Sequence, residues 1–409
     1  MEASSRYRVQ NIVRCYKEQW LAKPLPLKHI KAIEAIAGCQ SEERGVSAYE
    51  CSHEQRHLSL IAHSCRHRSC SLCAARSRVN WLEEQKKRLL DCAHFHCVFT
   101  LPQEYRVLWQ YNQKWMTATF FDVVRSTLMD MMKNTSGHAV TPGILMAMHT
   151  WGRQLTLHPH IHCVVTAGGL DAQNQWKETG QFLLPGRQVK ALYRGRFQAR
   201  ILDAFKTREL KLPPDHGKRE FYTLYKATYR KSWCVRIEEQ YAHGNGVLVY
   251  LSRYLKGGPL HPSQIVRCDD DAIGFRYKDH RDKRMKVLTV KPKEFIRRLL
   301  QHVPEPGQHM VRHYGLYAGA AKHKRALCRE HLGGLLESIG PDKAKAESRL
   351  LCGTCGESLN WKWSVYPTRK KANSYGVESV AETPGLWQVQ QPDEPVIGRV
   401  KKKITALRL

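Results

Sequence analysis

The stretch HPHIHCVV, residues 158–165, carries a histidine at every second position before an apolar run. Because side chains alternate between the faces of a β-strand, His158, His160 and His162 would project from one face of the strand. Two imidazoles at this spacing can bind one divalent ion. The stretch therefore indicates either a metal site or a surface strand whose histidines bind nothing.

A further histidine precedes this stretch at a distance that suits a hairpin. The segments GILMAMHTWG (143–152) and LTLHPHIHCVVTAGG (155–169) predict two antiparallel strands joined by a polar turn. In that hairpin, His149 could lie across from His160 and His162. The three side chains would form a metal site with open positions for water and substrate.

Two tyrosines in YLSRYLKGG could supply a nucleophile. Tyr250 and Tyr254 are four residues apart, so on a short helix both hydroxyls would lie on one face. Such a pair can pack against a sheet, or it can attack an electrophile. Arg253 and Lys256 flank the pair and could hold a phosphate group.

The 14 cysteines are clustered, which in a chain without an export signal indicates zinc ligands rather than disulfides. The densest segment is CSHEQRHLSLIAHSCRHRSCSLC, residues 51–73, which contains a C-x2-C knuckle and too few apolar residues to fold alone. His57, His63 and Cys39 lie nearby. We expect a structural Zn²⁺ here, with Cys65 as the main substitute in a ligand set of Cys51, His53, Cys70 and Cys73.

A second knuckle, Cys352 and Cys355 in CGTCG, lies near the C-terminus. The nearest comparable pair is Cys328 and His331 in LCREHL. Together these four residues predict a second zinc site.

The net charge of the chain indicates the class of partner that it binds. Lys and Arg total 66 against 37 acidic residues, a net charge of +29 that is spread along the chain. This excess predicts a nucleic-acid partner, although a solvated basic surface is the alternative. No P-loop motif occurs, so an ATP-driven reaction is not expected.

In the zinc segment, the candidate DNA contacts are Arg66, Arg68, Arg76 and Arg78. The tryptophans that could stack on bases or belong to the core are Trp109, Trp115, Trp151 and Trp233.

These motifs together resemble a known family. The HIH motif followed by YLSRY resembles the HUH endonucleases, and most of the chain is similar to the two-tyrosine transposases of rolling-circle insertion sequences. The similarity includes, in family-like order, SCRHRSCSLC, HFHCVFTLP, HPHIHCVVTAGG, YLSRYLKGGP, FRYKDHRD and VRHYGLYAG. One departure concerns the first zinc knuckle, which is usually C-x2-C in the family and is CSHE here. The second zinc ligand therefore stays open among His53, His57 and Cys65.

The resemblance implies an α+β fold: a central antiparallel sheet flanked by helices, with a small N-terminal zinc-binding domain. It implies that His160 and His162, with His149 as third ligand, bind a catalytic Mg²⁺ or Mn²⁺. A hydroxyl of Tyr250 or Tyr254 would attack DNA and leave a 5′-phosphotyrosine and a free 3′-OH. His158 would support the ligands or contact DNA. The HFH at 94–96 has no partner strand nearby in sequence, and we interpret it as structural.

The expected partner is DNA, as single strands or hairpin element ends, and self-association of the chain is left open. No apolar run long enough for a membrane span and no secretory signal is present. We therefore expect a cytoplasmic protein at the bacterial nucleoid. The predicted division is a helical and zinc-binding domain (1–90), a nuclease core with a helical insertion at about 171–231 (91–260), a β-hairpin and helix extension (261–335), and a C-terminal segment with a knuckle and basic tail (336–409).

Two other classes of function remain open at the level of sequence. A zinc-dependent hydrolase of small molecules would use an H-x-H pair, but it usually needs carboxylate or lysine ligands on later strands. A non-catalytic zinc-ribbon protein that binds nucleic acid would explain charge and cysteines, but it leaves HIH and YLSRY without a role.

Overall fold

The structure is a computed structural model, and it describes residues 8–53, 57–135, 139–179, 186–241, 259–333, 350–367, 387–390 and 395–398. The elements before residue 91 are α1 (Val9–Cys15), α2 (Lys17–Leu21), α3 (Leu27–Ala37), β1 (Val46–Cys51), β2 (Leu58–Ala62) and α4 (Ser71–Arg88). The middle of the chain forms β3 (His94–Thr100), α5 (Arg106–Tyr111), α6 (Gln113–Thr135), β4 (Thr141–Trp151), β5 (Leu157–Leu170), β6 (Trp176–Glu178), α7 (Gly186–Lys206), α8 (Lys218–Arg230) and β7 (Val235–Tyr241). The last part forms β8 (Ile265–Cys268), β9 (Ile273–Lys278), β10 (Met285–Val290), α9 (Pro292–Leu300), β11 (Val311–Gly315), α10 (Lys322–His331), β12 (Leu359–Pro367), β13 (Trp387–Gln390) and β14 (Pro395–Gly398).

A six-stranded sheet is the centre of the described chain, in the order β11-β4-β5-β3-β7, with β6 on β5. All its pairings are antiparallel. The predicted hairpin is confirmed, since β4 pairs with β5 and His149 lies opposite His160. Strand β3, which carries HFH, lies between β5 and β7. The α+β prediction is confirmed.

One face of this sheet packs against helices α5 to α8. Alternate residues of β5, including Ile161, Cys163 and Val165, are fully buried in this core, as the strand period requires. The helices contribute buried aromatic side chains such as Phe120 and Phe197, whose rings pack at 6.0 Å and 86°. Each such aromatic residue contributes about 1.5–3 kcal/mol by burial. This core holds the sheet rigid beneath the residues on its other face.

The other face of the sheet carries the histidines at one end and a smaller apolar cluster at the other. That cluster includes Leu145 and Val164 from the sheet and Leu316 and Tyr317 after β11. Tyr317 packs so closely on β4 that a Cβ at Gly143 would lie 2.9 Å from its ring. Glycine at this position therefore lets the segment after β11 close against the sheet.

Two further sheets lie outside the central sheet. Helices α1 and α3 share a core with β8, β9 and α9, through residues such as Ile33, Phe275 and Phe295. Strands β1 and β2 belong to a five-stranded sheet of order β14-β13-β12-β1-β2. The two ends of the chain therefore meet in one sheet, with Cys51 of β1 opposite Leu359 of β12. Within the described residues, no helix has the length and apolar character that a membrane crossing requires.

Candidate metal centre

His149, His160 and His162 converge on the face of the central sheet opposite the helices. Their candidate ligand nitrogens all lie within 4.8 Å of one another. His149 reaches the group from β4 because it is directly opposite His160 in the hairpin register. The ring centroids of His160 and His162 are 5.0 Å apart, and those of His149 and His162 are 4.8 Å apart. The register of one hairpin therefore brings the three imidazoles together.

Hydrogen bonds fix which nitrogen of His160 is available to an ion. The Nδ1 atom of His160 lies 2.7 Å from the carbonyl oxygen of His158. A carbonyl oxygen only accepts, so Nδ1–H donates and Nε2 carries the lone pair. An outer partner of this kind is typical of a histidine that binds a metal.

A longer chain of hydrogen bonds orients His162. The Nδ1 atom of His96 lies 2.6 Å from Oε2 of Glu238, and its Nε2 atom lies 3.0 Å from Nδ1 of His162. The carboxylate accepts from Nδ1–H of His96, so the Nε2 atom of a neutral His96 accepts from Nδ1–H of His162. The Nε2 lone pair of His162 is then free for an ion. His96 of the HFH motif therefore contacts the candidate site, a contact that the interpretation of HFH as structural did not include.

Burial keeps these rings neutral. It lowers the pKa of His160 to about 4. Burial, together with neighbouring His149, His160 and His96, lowers the pKa of His162 well below its usual value. Because only a neutral imidazole can bind a metal ion, both side chains are ready to do so at pH 7 without losing a proton.

The donor set fits a divalent transition ion. Imidazole is a common ligand of divalent first-row transition ions, whereas Mg²⁺ prefers oxygen ligands and keeps much of its water. Three protein ligands would leave coordination positions for phosphate oxygens and water. The indole of Trp151 stacks on His149 with ring centroids 4.7 Å apart and an interplanar angle of 17°, so one candidate stacking residue borders the site.

Four thiols form a separate cluster at the start of α4. Cys39 follows α3, Cys65 follows β2, and Cys70 and Cys73 begin α4; their sulfurs all lie within 4.8 Å of one another. The Sγ atoms of Cys39 and Cys73 are 3.6 Å apart, and those of Cys65 and Cys73 are 3.5 Å apart. A tetrahedral zinc with Zn–S bonds of about 2.3 Å holds its sulfurs roughly 3.8 Å apart. The cluster therefore has the dimensions of a zinc site with four thiolate ligands.

Neighbouring donors stabilise the thiolate form of Cys73. The thiols of Cys39, Cys65 and Cys70, with the backbone amide of Arg66, hold the pKa of Cys73 well below its usual range. The amide of Arg66 lies 3.2 Å from the Cys73 sulfur. A zinc ligand must be a thiolate, so these contacts favour binding.

Comparison with known proteins gives the family. A family model described as "Putative transposase" matches residues 143–325, which include the three histidines. A second, described as "Transposase zinc-binding domain", matches residues 9–101, which include the four thiols. The relative named "Putative transposase y4qJ" from Sinorhizobium fredii is 32% identical over 357 residues, covering 85% of this chain and 89% of that protein. The chain belongs to this family of transposases.

A second relative supports this assignment. The transposase for insertion sequence element IS801 from Pseudomonas savastanoi pv. phaseolicola is 28% identical over 319 residues, covering 76% of this chain and 74% of that protein. No solved structure matches the chain. The N-terminal part of this transposase is a zinc-binding domain, and its cysteine cluster supports a structural Zn²⁺.

The structure corrects the predicted grouping of the zinc residues. Cys70 and Cys73 lie with Cys39 and Cys65, whereas Cys51 belongs to a different group. His53 is exposed and belongs to neither of the groups found among the described residues. The reason is topological: β1 carries Cys51 away from the start of α4, and the end of α3 brings Cys39 to it. The spacing of Cys65, Cys70 and Cys73 in sequence was the signal for the correct set.

The second predicted quartet is also regrouped. Cys352 and Cys355 lie with Cys51 and His57, and these ligand atoms are within 4.8 Å of one another. Backbone amides of Cys355 and Thr354 lower the pKa of the Cys352 thiol to about 6.

The other half of that predicted quartet serves the fold of the transposase. Cys328 is buried in the cluster on the central sheet, and burial raises its pKa to about 11. The Nε2 atom of His331 lies 3.1 Å from the carbonyl oxygen of Asn174. Both residues are on α10, which packs against the central sheet, so neither belongs to the group of Cys352 and Cys355.

The structure describes some of the remaining predicted residues of the transposase and does not describe others. Arg66 is exposed, and Arg68 donates a 2.6 Å hydrogen bond to the carbonyl oxygen of Gln308. Trp109 and Trp233 are core residues, and Trp115 donates from Nε1 to Glu209. The side chains of Arg76 and Arg78, and the whole of Tyr250, Arg253, Tyr254 and Lys256, lie outside the described residues.

Proposed function

We propose that this transposase cuts and rejoins single-stranded DNA by the rolling-circle route, through 5′-phosphotyrosine intermediates. His149, His160 and His162 hold the catalytic divalent ion, Mg²⁺ or Mn²⁺, and Tyr250 and Tyr254 are the nucleophiles. The observation that carries the proposal is the convergence of three imidazoles on the face of the sheet opposite the helices, two of them oriented by hydrogen bonds, in a chain of a transposase family.

The ion, when bound, would polarise the scissile phosphate and offset the charge that develops on its oxygens. The attacking tyrosine oxygen loses its proton as it forms a bond to phosphorus, and the bond from phosphorus to the 3′ oxygen breaks. The 3′ oxygen takes up a proton and leaves as a free hydroxyl. The phosphotyrosine ester keeps the energy of the broken bond, so a later 3′-OH can displace the tyrosine without ATP. A second tyrosine allows another cleavage while the first DNA end remains attached.

The net charge of the chain and the position of the histidine site indicate the substrate class. A net charge of +29 suits a polyanion, and DNA must be single-stranded or locally extruded to reach a site on the face of a sheet. Trp151, beside His149, offers a surface on which a base can stack. We propose that the targets are the hairpin ends of the element and that the protein acts on them at the nucleoid.

The two alternatives explain less. A small-molecule hydrolase would need carboxylate ligands, but among the described residues the histidine group includes none, and Glu238 contacts His96 instead. A non-catalytic zinc-ribbon protein has no use for a histidine cluster on a separate sheet. The transposase reaction uses the cluster, the charge and the tyrosines together.

The proposal is tested with single-stranded oligonucleotides that carry candidate element ends. With Mn²⁺, the wild type should form a covalent adduct that survives denaturation, and the double variant Tyr250→Phe/Tyr254→Phe should form none. Tyr229→Phe, which alters an exposed tyrosine of α8, is the matched control and should retain the adduct. Adduct formation by the double variant would contradict the proposal.

A further inference from the structure

We propose that Cys51, His57, Cys352 and Cys355 bind a second structural Zn²⁺, shared between the two ends of the chain. The match to the family model of the transposase zinc-binding domain ends at residue 101, so Cys352 and Cys355 lie far outside it. The site would join the C-terminal segment to the N-terminal zinc-binding domain.

The ligand distances fit one tetrahedral ion. The Sγ atoms of Cys51 and Cys355 are 3.3 Å apart, and the Sγ atom of Cys352 lies 3.7 Å from Nδ1 of His57. All four ligand atoms lie within 4.8 Å of one another. Edges of a tetrahedron around zinc are roughly 3.5–3.8 Å for sulfur and nitrogen ligands. Three thiolates and one imidazole form a set that structural zinc commonly takes.

Backbone hydrogen bonds hold the two ligand pairs in facing turns. The amide of Cys51 donates to the carbonyl oxygen of His57 at 3.0 Å, which closes the first turn. The amide of Gly356 donates to the carbonyl oxygen of Cys352 at 2.9 Å, which closes the second turn. Gly356 has a φ of +78°, a conformation that favours glycine and sets the tight turn after Cys355.

The strands β1 and β12, which flank these turns, hold the two ligand pairs next to each other. Cys51 ends β1 and lies opposite Leu359, the first residue of β12. The amide of Ser52 donates to the carbonyl oxygen of Ser358 at 2.9 Å, so the pairing continues up to the turns. Each turn is thus anchored to a strand of the same sheet, as in a zinc ribbon built from two remote segments.

Within the described residues 350–367, the apolar core is too small to hold this part of the chain alone. In β12 and the turn before it, Cys352 and Val365 are buried, but Leu351 is 62%, Trp361 38% and Tyr366 41% exposed. Burial therefore contributes little, and a bound metal is the usual source of stability for such a small sheet.

The ion would also close a very long loop. Cys51 and Cys355 are 304 residues apart in sequence, and the segment between them contains the whole central sheet. Closing a loop of this length removes much of the freedom that the C-terminal segment has in the open chain. The second zinc therefore links the two segments that precede and follow the central sheet in the chain.

Cysteine alkylation of the zinc-loaded wild-type protein tests the site without any substitution. Cys355, Cys15 and Cys234 are all exposed, so an unbound Cys355 should react with a maleimide as fast as the other two. We expect Cys15 and Cys234 to react at once, and Cys355 to react only after a chelator is added. Mass spectrometry should then show Cys51 and Cys352 becoming reactive together with Cys355. Reaction of Cys355 at the rate of Cys15 before chelation would overturn the proposal.

Metal content gives the second measurement. The variant Cys352→Ser/Cys355→Ser should contain about one zinc fewer per chain than the wild type. The matched control Cys328→Ser/His331→Asn, which alters the half of the predicted quartet that lies elsewhere, should lose none. In Co²⁺-loaded protein, only the first variant should lose part of the thiolate-to-cobalt absorption; the four-thiol cluster should supply the remainder, and the three-histidine site cannot produce this signal. Equal zinc content in the first variant and the wild type would overturn the proposal.

Discussion

The Nε2 atom of His96 lies 3.0 Å from the Nδ1 atom of His162, and the far nitrogen of His96 lies 2.6 Å from the carboxylate of Glu238. Glu238 therefore determines, through His96, which nitrogen of His162 carries the lone pair. Partners of this kind commonly change metal affinity by about 10–100-fold when they are removed. The same relationship makes the role of the HFH motif measurable.

We predict that Glu238→Ala weakens Mn²⁺ binding by about 10–100-fold. Without the carboxylate, His96 can donate from Nε2 to His162, and the Nε2 atom of His162 then carries the proton instead of the lone pair. Glu238→Gln keeps an acceptor oxygen and should have a smaller effect. Isothermal titration with Mn²⁺ measures both, and Glu84→Ala on the exposed face of α4 is the control. Unchanged affinity in Glu238→Ala would remove Glu238 from the site.

A second prediction concerns stability in acid. His302 is buried, its Nε2 lies 3.2 Å from the carbonyl oxygen of Leu155, and its Nδ1 lies 3.2 Å from the hydroxyl of Thr150. Burial lowers the pKa of His302 to about 4, whereas the unfolded chain titrates near 6.5. Between these values the unfolded state binds more protons, so the free energy of unfolding falls as the pH falls from about 6.5 to 4. The contribution of one such residue reaches about 3 kcal/mol.

Urea unfolding at pH 7.5 and pH 5 tests this prediction. The variant His302→Gln should lose less stability between the two pH values than the wild type, whatever its stability at pH 7.5. An equal loss in both proteins would show that His302 is not protonated on unfolding in this range.

A third prediction uses the close contact of His94 with Tyr317. Nδ1 of His94 donates to the carbonyl oxygen of Cys92 at 2.8 Å, and the hydroxyl of Tyr317 donates to its Nε2 at 2.6 Å. Tyr317→Phe leaves a buried nitrogen without this donor, which should cost about 1–3 kcal/mol of unfolding free energy. Tyr111→Phe, at an exposed tyrosine, should change the stability little. Equal stabilities of the two variants would contradict this interpretation.

A fourth prediction concerns the joint between the chain ends. Gly45 has a φ of +88°, and a Cβ there would lie 1.9 Å from the carbonyl oxygen of Val365 in β12. Gly45→Ala should therefore displace β12 from β1 and expose the C-terminal segment to proteolysis. Gly195→Ala, in α7 with open space around the added carbon, should instead stabilise the protein by about 0.5–1 kcal/mol. Resistance of Gly45→Ala to proteolysis at the wild-type level would contradict the prediction.

The hairpin could be predicted from sequence because it is a local feature. Two apolar segments with a polar turn gave β4 and β5, and the strand period gave the shared face of His160 and His162. The register then placed His149, so three residues of the centre were found without a structure. The role of His96 was missed because β3 pairs with β5 across more than sixty residues, and spacing in sequence says nothing about such a pairing.

The zinc ligands show the same limit. The sequence identified the knuckles at Cys70 and Cys352, since a C-x2-C turn is formed by neighbouring residues. It did not identify their partners, because these depend on how α3 ends near α4 and how β12 returns to β1. The distance between Cys51 and Cys355 along the chain hid a contact that the antiparallel pairing of β1 with β12 makes direct.

The central claim is that a tyrosine after the histidine sheet attacks DNA with the help of an ion held by His149, His160 and His162. The most direct measurement is peptide mapping of the covalent adduct that the wild type forms with a single-stranded element end in Mn²⁺. The account predicts a 5′-phosphate linked to Tyr250 or Tyr254, and no adduct in His160→Ala/His162→Ala or without metal. An adduct on another residue, or one that forms equally well in the histidine variant, would contradict it.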